Sequence, residues 1–324
     1  MADRMERRQF LKASVTSTLA LAINPASAFS ADPVQKFKIG MAATTWLSAD
    51  PSITTYWKAT KGIAALNIGA TEADNSKADF DSAYGNKKID EFREQSRQVG
   101  VQLEGVYQAL LLHETQQLPA IRSKINSVAA FLKAAGAQYI ALGWDVPWGP
   151  GRKPYVRTPA DVRQAIRTAD EIGRISLEEH GIFVALHAER DIPKEITLQI
   201  LDGTNPKYVR FCADVGHLTA MGLDAVQTVK KYASRLAVSH WKDFDPKLGG
   251  PSYLGSGATG DFVELGRGVV DFQGLANLYR EIGFEGWVQL ELDHTREASI
   301  AISAQKMKAF VTDQLKLQMY PRSH

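Results

Sequence analysis

Four residues that can bind a metal ion each stand near the end of a predicted strand in the second half of the chain. They are His187, Asp214, His240 and Glu291. Because side chains alternate between the two faces of a strand, all four can point to one side in the same register. Two imidazoles and two carboxylates suit Mn²⁺, Zn²⁺, Co²⁺ or Fe²⁺ better than Mg²⁺ or Ca²⁺. We therefore predict one bound divalent metal ion, whose identity the sequence leaves open.

Three residues near these ligands have the chemistry to move protons. Glu291, beside the predicted metal, is a candidate base or acid. His217 follows Asp214 by three residues and would polarise a carbonyl group or carry a proton. Glu189 has the same strand parity as His187 and is a second carboxylate at this position. We predict Glu291, His217 and Glu189 as catalytic residues.

Side chains from separate strands meet at one point if the strands are parallel and their C-terminal ends converge, as in a barrel. Strand and helix alternate eight times over about 285 residues, near the typical size of a (β/α)8 barrel. No Gly-x-Gly-x-x-Gly follows the first predicted strand and the chain has no P-loop motif, which argues against a nucleotide-binding doubly wound sheet. We predict an α/β protein with a single-domain (β/α)8 TIM barrel. The predicted strands are 37–43, 63–68, 101–107, 138–143, 182–187, 208–214, 236–243 and 287–293.

Composition limits the classes of partner. The chain has 324 residues, of which 44% are hydrophobic and 23% charged, so it can bury a sizeable core. Its net charge is +2 and it has no dense basic stripe, which argues against a nucleic-acid partner. The single cysteine, Cys212, excludes an internal disulfide and is predicted to be a small core residue. The sequence leaves a homo-oligomer open.

The first residues have the pattern of an export signal. Glu6–Lys12 contains Arg7 and Arg8 and resembles a twin-arginine signal, and the apolar run 13–23 that follows is too short to span a membrane. We expect residues 1–31 to be a signal peptide and linker, and residues 32–324 to form the barrel. The mature protein would then be periplasmic or secreted, without stable membrane insertion.

Several motifs in series resemble the xylose-isomerase-like TIM-barrel superfamily, in particular its sugar phosphate isomerase/epimerase branch, which includes ketose 3-epimerases and inosose dehydratases. The resemblance covers roughly residues 37–315. The motifs are Asp214-x-x-His217, His240-Trp-Lys242-Asp243, Leu265-Gly-Arg-Gly-Val-Val-Asp271-Phe272 and Gly286-Trp-Val-x-Leu-Glu291-x-Asp293.

The resemblance implies that the four residues named first are the metal ligands and that His217 contacts substrate. Epimerases of this branch usually carry a glutamate at the strand-five position, where this chain reads His187-Ala-Glu189. A histidine there is closer to the inosose dehydratase pattern. Either His187 is the ligand and Glu189 a nearby base, or Glu189 has taken over coordination. We favour His187.

The leading hypothesis is a metal-dependent sugar isomerase or epimerase that acts through an enediolate on a free or oxidised sugar. The first alternative is an inosose dehydratase-like lyase acting on a keto-cyclitol or keto-sugar. The alternative from another class is a barrel that binds sugar without turnover. The small-molecule partner in each case is a sugar or cyclitol. Predicted substrate contacts are His217, Lys242, Trp46 and Arg267.

Overall fold

The computed structural model describes residues 34–50, 52–75, 88–144, 158–249 and 259–323. The predicted signal peptide and linker lie outside these residues. Within them, no helix is both long and apolar enough to cross a membrane.

Strand and helix alternate along the described chain, as the sequence predicts. The barrel strands are β1 (Lys38–Met41), β2 (Ala70–Asp74), β3 (Gln102–Leu110), β4 (Tyr139–Trp144), β5 (Phe183–His187), β6 (Val209–Asp214), β7 (Leu236–Trp241) and β10 (Trp287–Leu290). A short antiparallel pair, β8 (Asp243–Asp245) and β9 (Asp261–Val263), comes between β7 and β10 in the chain. The helices are α1 (Thr44–Ala49), α2 (Tyr56–Ala65), α3 (Ile89–Val99), α4 (Leu118–Ala135), α5 (Pro159–His180), α6 (Lys194–Gly203), α7 (Val215–Ala220), α8 (Ala225–Lys231), α9 (Phe272–Glu281) and α10 (Ile300–Ala309).

The eight barrel strands are parallel and hydrogen-bond in the order β1-β10-β7-β6-β5-β4-β3-β2. The seam between β1 and β2 is bridged without a regular ladder. The Ala43 N–H donates to the Glu72 carbonyl at 2.9 Å, and the Thr71 hydroxyl donates to the Met41 carbonyl at 2.7 Å. The sheet is therefore a nearly closed barrel, and the TIM-barrel prediction is confirmed.

The C-terminal segment helps to close the same seam at the opposite end. The Tyr320 N–H donates to the Ile39 carbonyl at 2.8 Å, and the Gly69 N–H donates to the Tyr320 carbonyl at 2.9 Å. One residue thus joins β1 to the start of β2. The strand ends that carry the candidate site are left open.

The helices form where the sequence places an apolar stripe between a cap and a glycine. Helix α5 begins with a capping box, in which Thr158 accepts from the Asp161 N–H and Asp161 accepts from the Thr158 N–H. It ends at Gly181, whose φ of 74° is the left-handed conformation that favours glycine. Its buried face includes Val162, Ala165, Ala169 and Ile172, which recur at helical spacing. This face packs on the outside of the barrel.

The barrel interior is filled by two tyrosines that lie over glycines. A Cβ atom at Gly105 would overlap the Tyr139 ring, and a Cβ atom at Gly143 would overlap the Tyr107 hydroxyl end. The small residues of β3 and β4 therefore let Tyr107 and Tyr139 reach across the interior. The Tyr107 hydroxyl reaches the candidate site.

The prediction of the second strand is wrong. Residues 63–65 end helix α2, because Tyr56, Ala59 and Ile63 recur at helical spacing and are buried on one face. The second barrel strand is β2, which begins at Ala70. Glu72 lies in the middle of β2.

Candidate active site and metal centre

The candidate ligands are brought together by the register of neighbouring strands. Asp214 pairs with His240 across β6 and β7, and His240 pairs with Gln289 across β7 and β10. His187 pairs with Cys212, two residues before Asp214 on the same face of β6. Each side chain consequently enters the same end of the barrel, at the C-terminal ends of the strands, where such barrels place their active sites.

The ring nitrogens and carboxylate oxygens of the predicted ligands lie close together. His187 Nε2 is 3.2 Å from His240 Nδ1 and 3.5 Å from Asp214 Oδ2. His240 Nδ1 is 3.0 Å from Glu291 Oε2. Candidate ligand atoms of Asp214, His240 and Glu291 all lie within 4.8 Å of one another. The structure thus brings the four residues predicted as ligands into one group.

Asp214 tests whether this group suits a metal ion. Its Oδ1 accepts the His217 N–H at 2.9 Å and caps helix α7. Its Oδ2 is fully buried and has no hydrogen-bond partner among the described residues. A buried carboxylate oxygen without a hydrogen bond is costly; Lys242 Nζ, 3.6 Å away, offsets part of that cost, and a divalent ion beside the oxygen would offset more. The residues present therefore fit a divalent ion.

Each candidate histidine ligand has its own outer carboxylate. His187 Nδ1 donates to Glu189 Oε1 at 2.9 Å, and His240 Nε2 donates to Glu72 Oε2 at 3.0 Å. These bonds fix the tautomers and leave His187 Nε2 and His240 Nδ1 as the nitrogens facing the group. The Tyr107 hydroxyl also donates to Glu189 Oε1, at 2.7 Å. Glu189 is thus beside the group rather than within it.

The negative charge of the site raises the pKa values of the two imidazoles. Burial lowers the pKa of His187, but Glu189 and Asp214 outweigh burial and hold it well above its usual value. Burial lowers the pKa of His240, but Cys212 and Glu72 outweigh burial and hold it well above its usual value. Surroundings that favour an imidazolium also favour a divalent cation.

Lys242 is fully buried among carboxylates. Its Nζ lies 2.8 Å from Glu291 Oε1, 3.2 Å from Asp293 Oδ1 and 3.6 Å from Asp214 Oδ2. Burial lowers the pKa of Lys242, but these three carboxylates raise it well above the usual lysine value. Burial also raises the pKa of Glu291, and Lys242 and His240 outweigh that effect and lower it far below the ordinary value. Lys242 is therefore an ammonium ion and Glu291 a carboxylate.

His217 is a neutral imidazole. Burial lowers its pKa well below the usual value; Asp214 opposes this, and Lys242 lowers the pKa further. The Arg190 backbone N–H donates to His217 Nδ1 at 2.9 Å, and the Lys242 ammonium lies 3.3 Å from His217 Nε2. The ring stacks on Phe262 with a centroid distance of 5.0 Å. His217 thus presents Nε2 on the side facing Lys242 and Asp214.

A cavity of about 190 Å³ opens above these side chains. The sequence did not identify Tyr107, Thr44 and Asp74 as residues of its wall. Thr44 directly follows the first predicted strand, and Asp74 is the last residue of β2. The Thr44 hydroxyl donates to Asp74 Oδ2 at 3.0 Å. The cavity is lined by Thr44, Glu72, Asp74, Tyr107, His187, Glu189, Arg190, His217, Lys242, Glu291 and Asp293.

Two predicted substrate contacts do not line this cavity. Trp46 is 5% exposed, and its ring lies against Gly62 of helix α2 in the core. Arg267 is paired with Glu264 and Glu297. The predicted contacts His217 and Lys242 do line it.

Residues 59–310 match the model of the xylose isomerase-like TIM-barrel family, which is well over half of the chain. The chain belongs to this family. Inosose dehydratase of Geobacillus kaustophilus (strain HTA426) is 22% identical over 302 residues, which cover 87% of this chain and 96% of that protein.

Two solved structures have the same fold. The IOLI protein with a bound zinc atom is 17% identical and superposes with a TM-score of 0.67 over 86% of this chain and 98% of that chain. L-ribulose 3-epimerase is 12% identical, with a TM-score of 0.62 over 86% of this chain and 95% of that chain. The proteins that this chain resembles thus include sugar-processing enzymes, which supports an enzymatic role for this chain.

Proposed function

We propose that the protein is a metal-dependent lyase that removes water from a keto-cyclitol or keto-sugar. The observation that carries the proposal is the arrangement at the end of β5. His187 directs Nε2 toward Asp214 and His240, whereas Glu189 is bonded to His187 Nδ1 and to the Tyr107 hydroxyl. Glu189 is then a base beside the metal rather than a ligand. The similarity to an inosose dehydratase over nearly its whole length supports the same chemistry.

The metal ion is proposed to be held by His187, Asp214, His240 and Glu291. When bound, it would supply positive charge to a carbonyl oxygen and so make the neighbouring C–H more acidic. The chain's own residues supply the rest of the reaction. His217, a neutral imidazole in the cavity wall, contacts a substrate oxygen.

Dehydration of a β-hydroxy ketone takes a proton from carbon and gives a proton to the departing oxygen. Glu189 lines the cavity and removes the proton from the carbon next to the carbonyl. Lys242, an ammonium ion with a raised pKa in the same wall, is a hydrogen-bond donor to the departing hydroxyl, and the protonated Glu189 gives that hydroxyl the proton with which it leaves as water. The electron pair of the C–H bond forms the new carbon–carbon double bond. Glu291 is a weak base here, because Lys242 and His240 lower its pKa.

The second candidate is the sugar isomerase or epimerase that led the sequence hypotheses. Epimerisation needs proton-transferring groups on both faces of one carbon. Glu189 and Glu291 both line the cavity, which favours this candidate. It shares the first proton removal with dehydration, but the carbon is then re-protonated from the other face and the hydroxyl group is kept.

Proton NMR in D₂O separates the candidates. The protein, reloaded with Mn²⁺ or Zn²⁺, is incubated with a keto-inositol and with a ketohexose. Deuterium uptake next to the carbonyl together with loss of the hydroxyl group from one carbon supports the lyase. Deuterium uptake with every hydroxyl group retained supports the epimerase. Chelator-treated protein and His187→Ala are the controls. Absence of any exchange with metal-loaded protein would refute both reactions and favour a barrel that only binds sugar.

A further inference from the structure

Cys212 lies directly below the candidate metal centre. It is in β6, two residues before Asp214 and therefore on the same face of the strand, and it is fully buried inside the barrel. Its partners in register are His187 on β5 and Val238 on β7. It is the only cysteine of the 324-residue chain.

The thiol shares both imidazoles with the proposed metal site. The Cys212 Sγ and ring nitrogens of His187 and His240 all lie within 4.8 Å of one another. His240 also belongs to the set formed with Asp214 and Glu291. Asp214 Oδ2, buried and without a hydrogen-bond partner among the described residues, lies 3.5 Å from His187 Nε2 and 3.6 Å from Lys242 Nζ, so this oxygen faces the same group of side chains.

We propose that Cys212, as a thiolate, is a further ligand of the metal ion and makes the site selective for thiophilic ions. Zn²⁺ and Co²⁺ would be held in preference to Mg²⁺ and Mn²⁺, because thiolate sulfur binds the former more strongly. On binding, the S–H bond breaks, the sulfur electron pair binds the ion and the proton passes to water, without oxidation or reduction. This inference depends on the metal site of the proposed function.

Cys212 stands out chemically from its neighbours in the interior. Ala185 and Val238, on the strands to either side, fill the same part of the barrel with purely apolar groups. A side chain needed only for volume can be replaced there by another small apolar residue at modest cost. A soft donor is useful at this position because two imidazoles face it.

The test is a spectroscopic titration of chelator-stripped protein with Co²⁺. We expect a thiolate-to-cobalt charge-transfer band in the near ultraviolet that saturates at one Co²⁺ per chain. Since the chain has one cysteine, the band can arise only from Cys212. Cys212→Ser should abolish it, and Val238→Ala, which alters a neighbouring interior side chain but leaves the thiol in place, should retain it.

Competition and proton release provide a second readout. Cys212→Ser should lose at least about tenfold in Zn²⁺ affinity, since even the loss of an outer partner of a ligand costs this much. Its Mg²⁺ affinity should not change. Calorimetry in buffers of different ionisation enthalpy should show about one proton fewer released per Zn²⁺ than in the unaltered protein.

The outcomes separate this inference from the proposed function. Failure of the unaltered protein to take up Co²⁺ would overturn the metal site itself. Stoichiometric uptake without the charge-transfer band would overturn only the role of Cys212. If Cys212→Ser does not fold, the spectrum of the unaltered protein still decides the question.

Discussion

Removing the carboxylate of Glu72 should weaken metal binding although Glu72 is not itself a proposed ligand. Glu72 is 2% exposed, and its Oε2 accepts from His240 Nε2 at 3.0 Å. This bond fixes the tautomer in which His240 Nδ1 faces Glu291, 3.0 Å away. Without it, the imidazole can rotate or carry its proton on the nitrogen that should bind the ion. Glu72 is thus a positioning residue.

The size of the effect follows from what each substitution leaves behind. Loss of an outer partner of a metal ligand typically costs 10- to 100-fold in affinity, which corresponds to about 1.4–2.7 kcal/mol. Glu72→Gln keeps an acceptor oxygen and loses the charge, so we expect about a tenfold loss. Glu72→Leu leaves the buried His240 N–H without an acceptor, so we expect about a 100-fold loss.

Asp74→Asn is the matched control. Asp74 is on the same strand, is buried and lines the cavity, but its Oδ2 accepts from the Thr44 hydroxyl rather than from an imidazole. Isothermal titration of Mn²⁺ into each chelator-stripped variant measures the affinities, and circular dichroism checks the fold. Unchanged affinity in Glu72→Leu, or an equal loss in Asp74→Asn, would refute the positioning role of Glu72.

Three further perturbations probe the site and the fold. His187→Ala should abolish metal content, whereas Glu189→Ala should retain the metal and lose activity. Elemental analysis measures the metal content of both variants. If only Glu189→Ala loses the metal, Glu189 is the ligand. Burial raises the pKa of Glu104 from 4.5 to about 7, so raising the pH from 4.5 to above 7 ionises it in the folded state and costs stability on the order of 3 kcal/mol. Urea unfolding at pH 5 and pH 8 measures this loss in the free energy of unfolding, and Glu104→Gln should remove it. If the variant shows the same loss, other groups cause it. Thr158→Ala breaks the capping box with Asp161 and should destabilise the protein by about 1 kcal/mol in the same measurement; no change would show that solvent replaces the cap.

The sequence predicts most of the elements because their signals are local. Helix α5 begins and ends where the Thr158 cap and Gly181 predict, and its apolar stripe has helical spacing. The second strand was misassigned because a short apolar run such as 63–68 suits either a buried strand or the end of a helix. The choice depends on the surface against which Ile63 packs, which is not a local property.

The sequence by itself determined that His187, Asp214, His240 and Glu291 stand at equivalent points of successive parallel strands. Strand parity and strand length decide this, and both can be read along the chain. The tertiary structure alone decided their outer partners. Glu72 meets His240 across the barrel interior, 168 positions apart in the chain, and Tyr107 meets Glu189 because Gly143 leaves room for its ring. Contacts between distant strands depend on how the barrel closes, and no spacing within one strand encodes them.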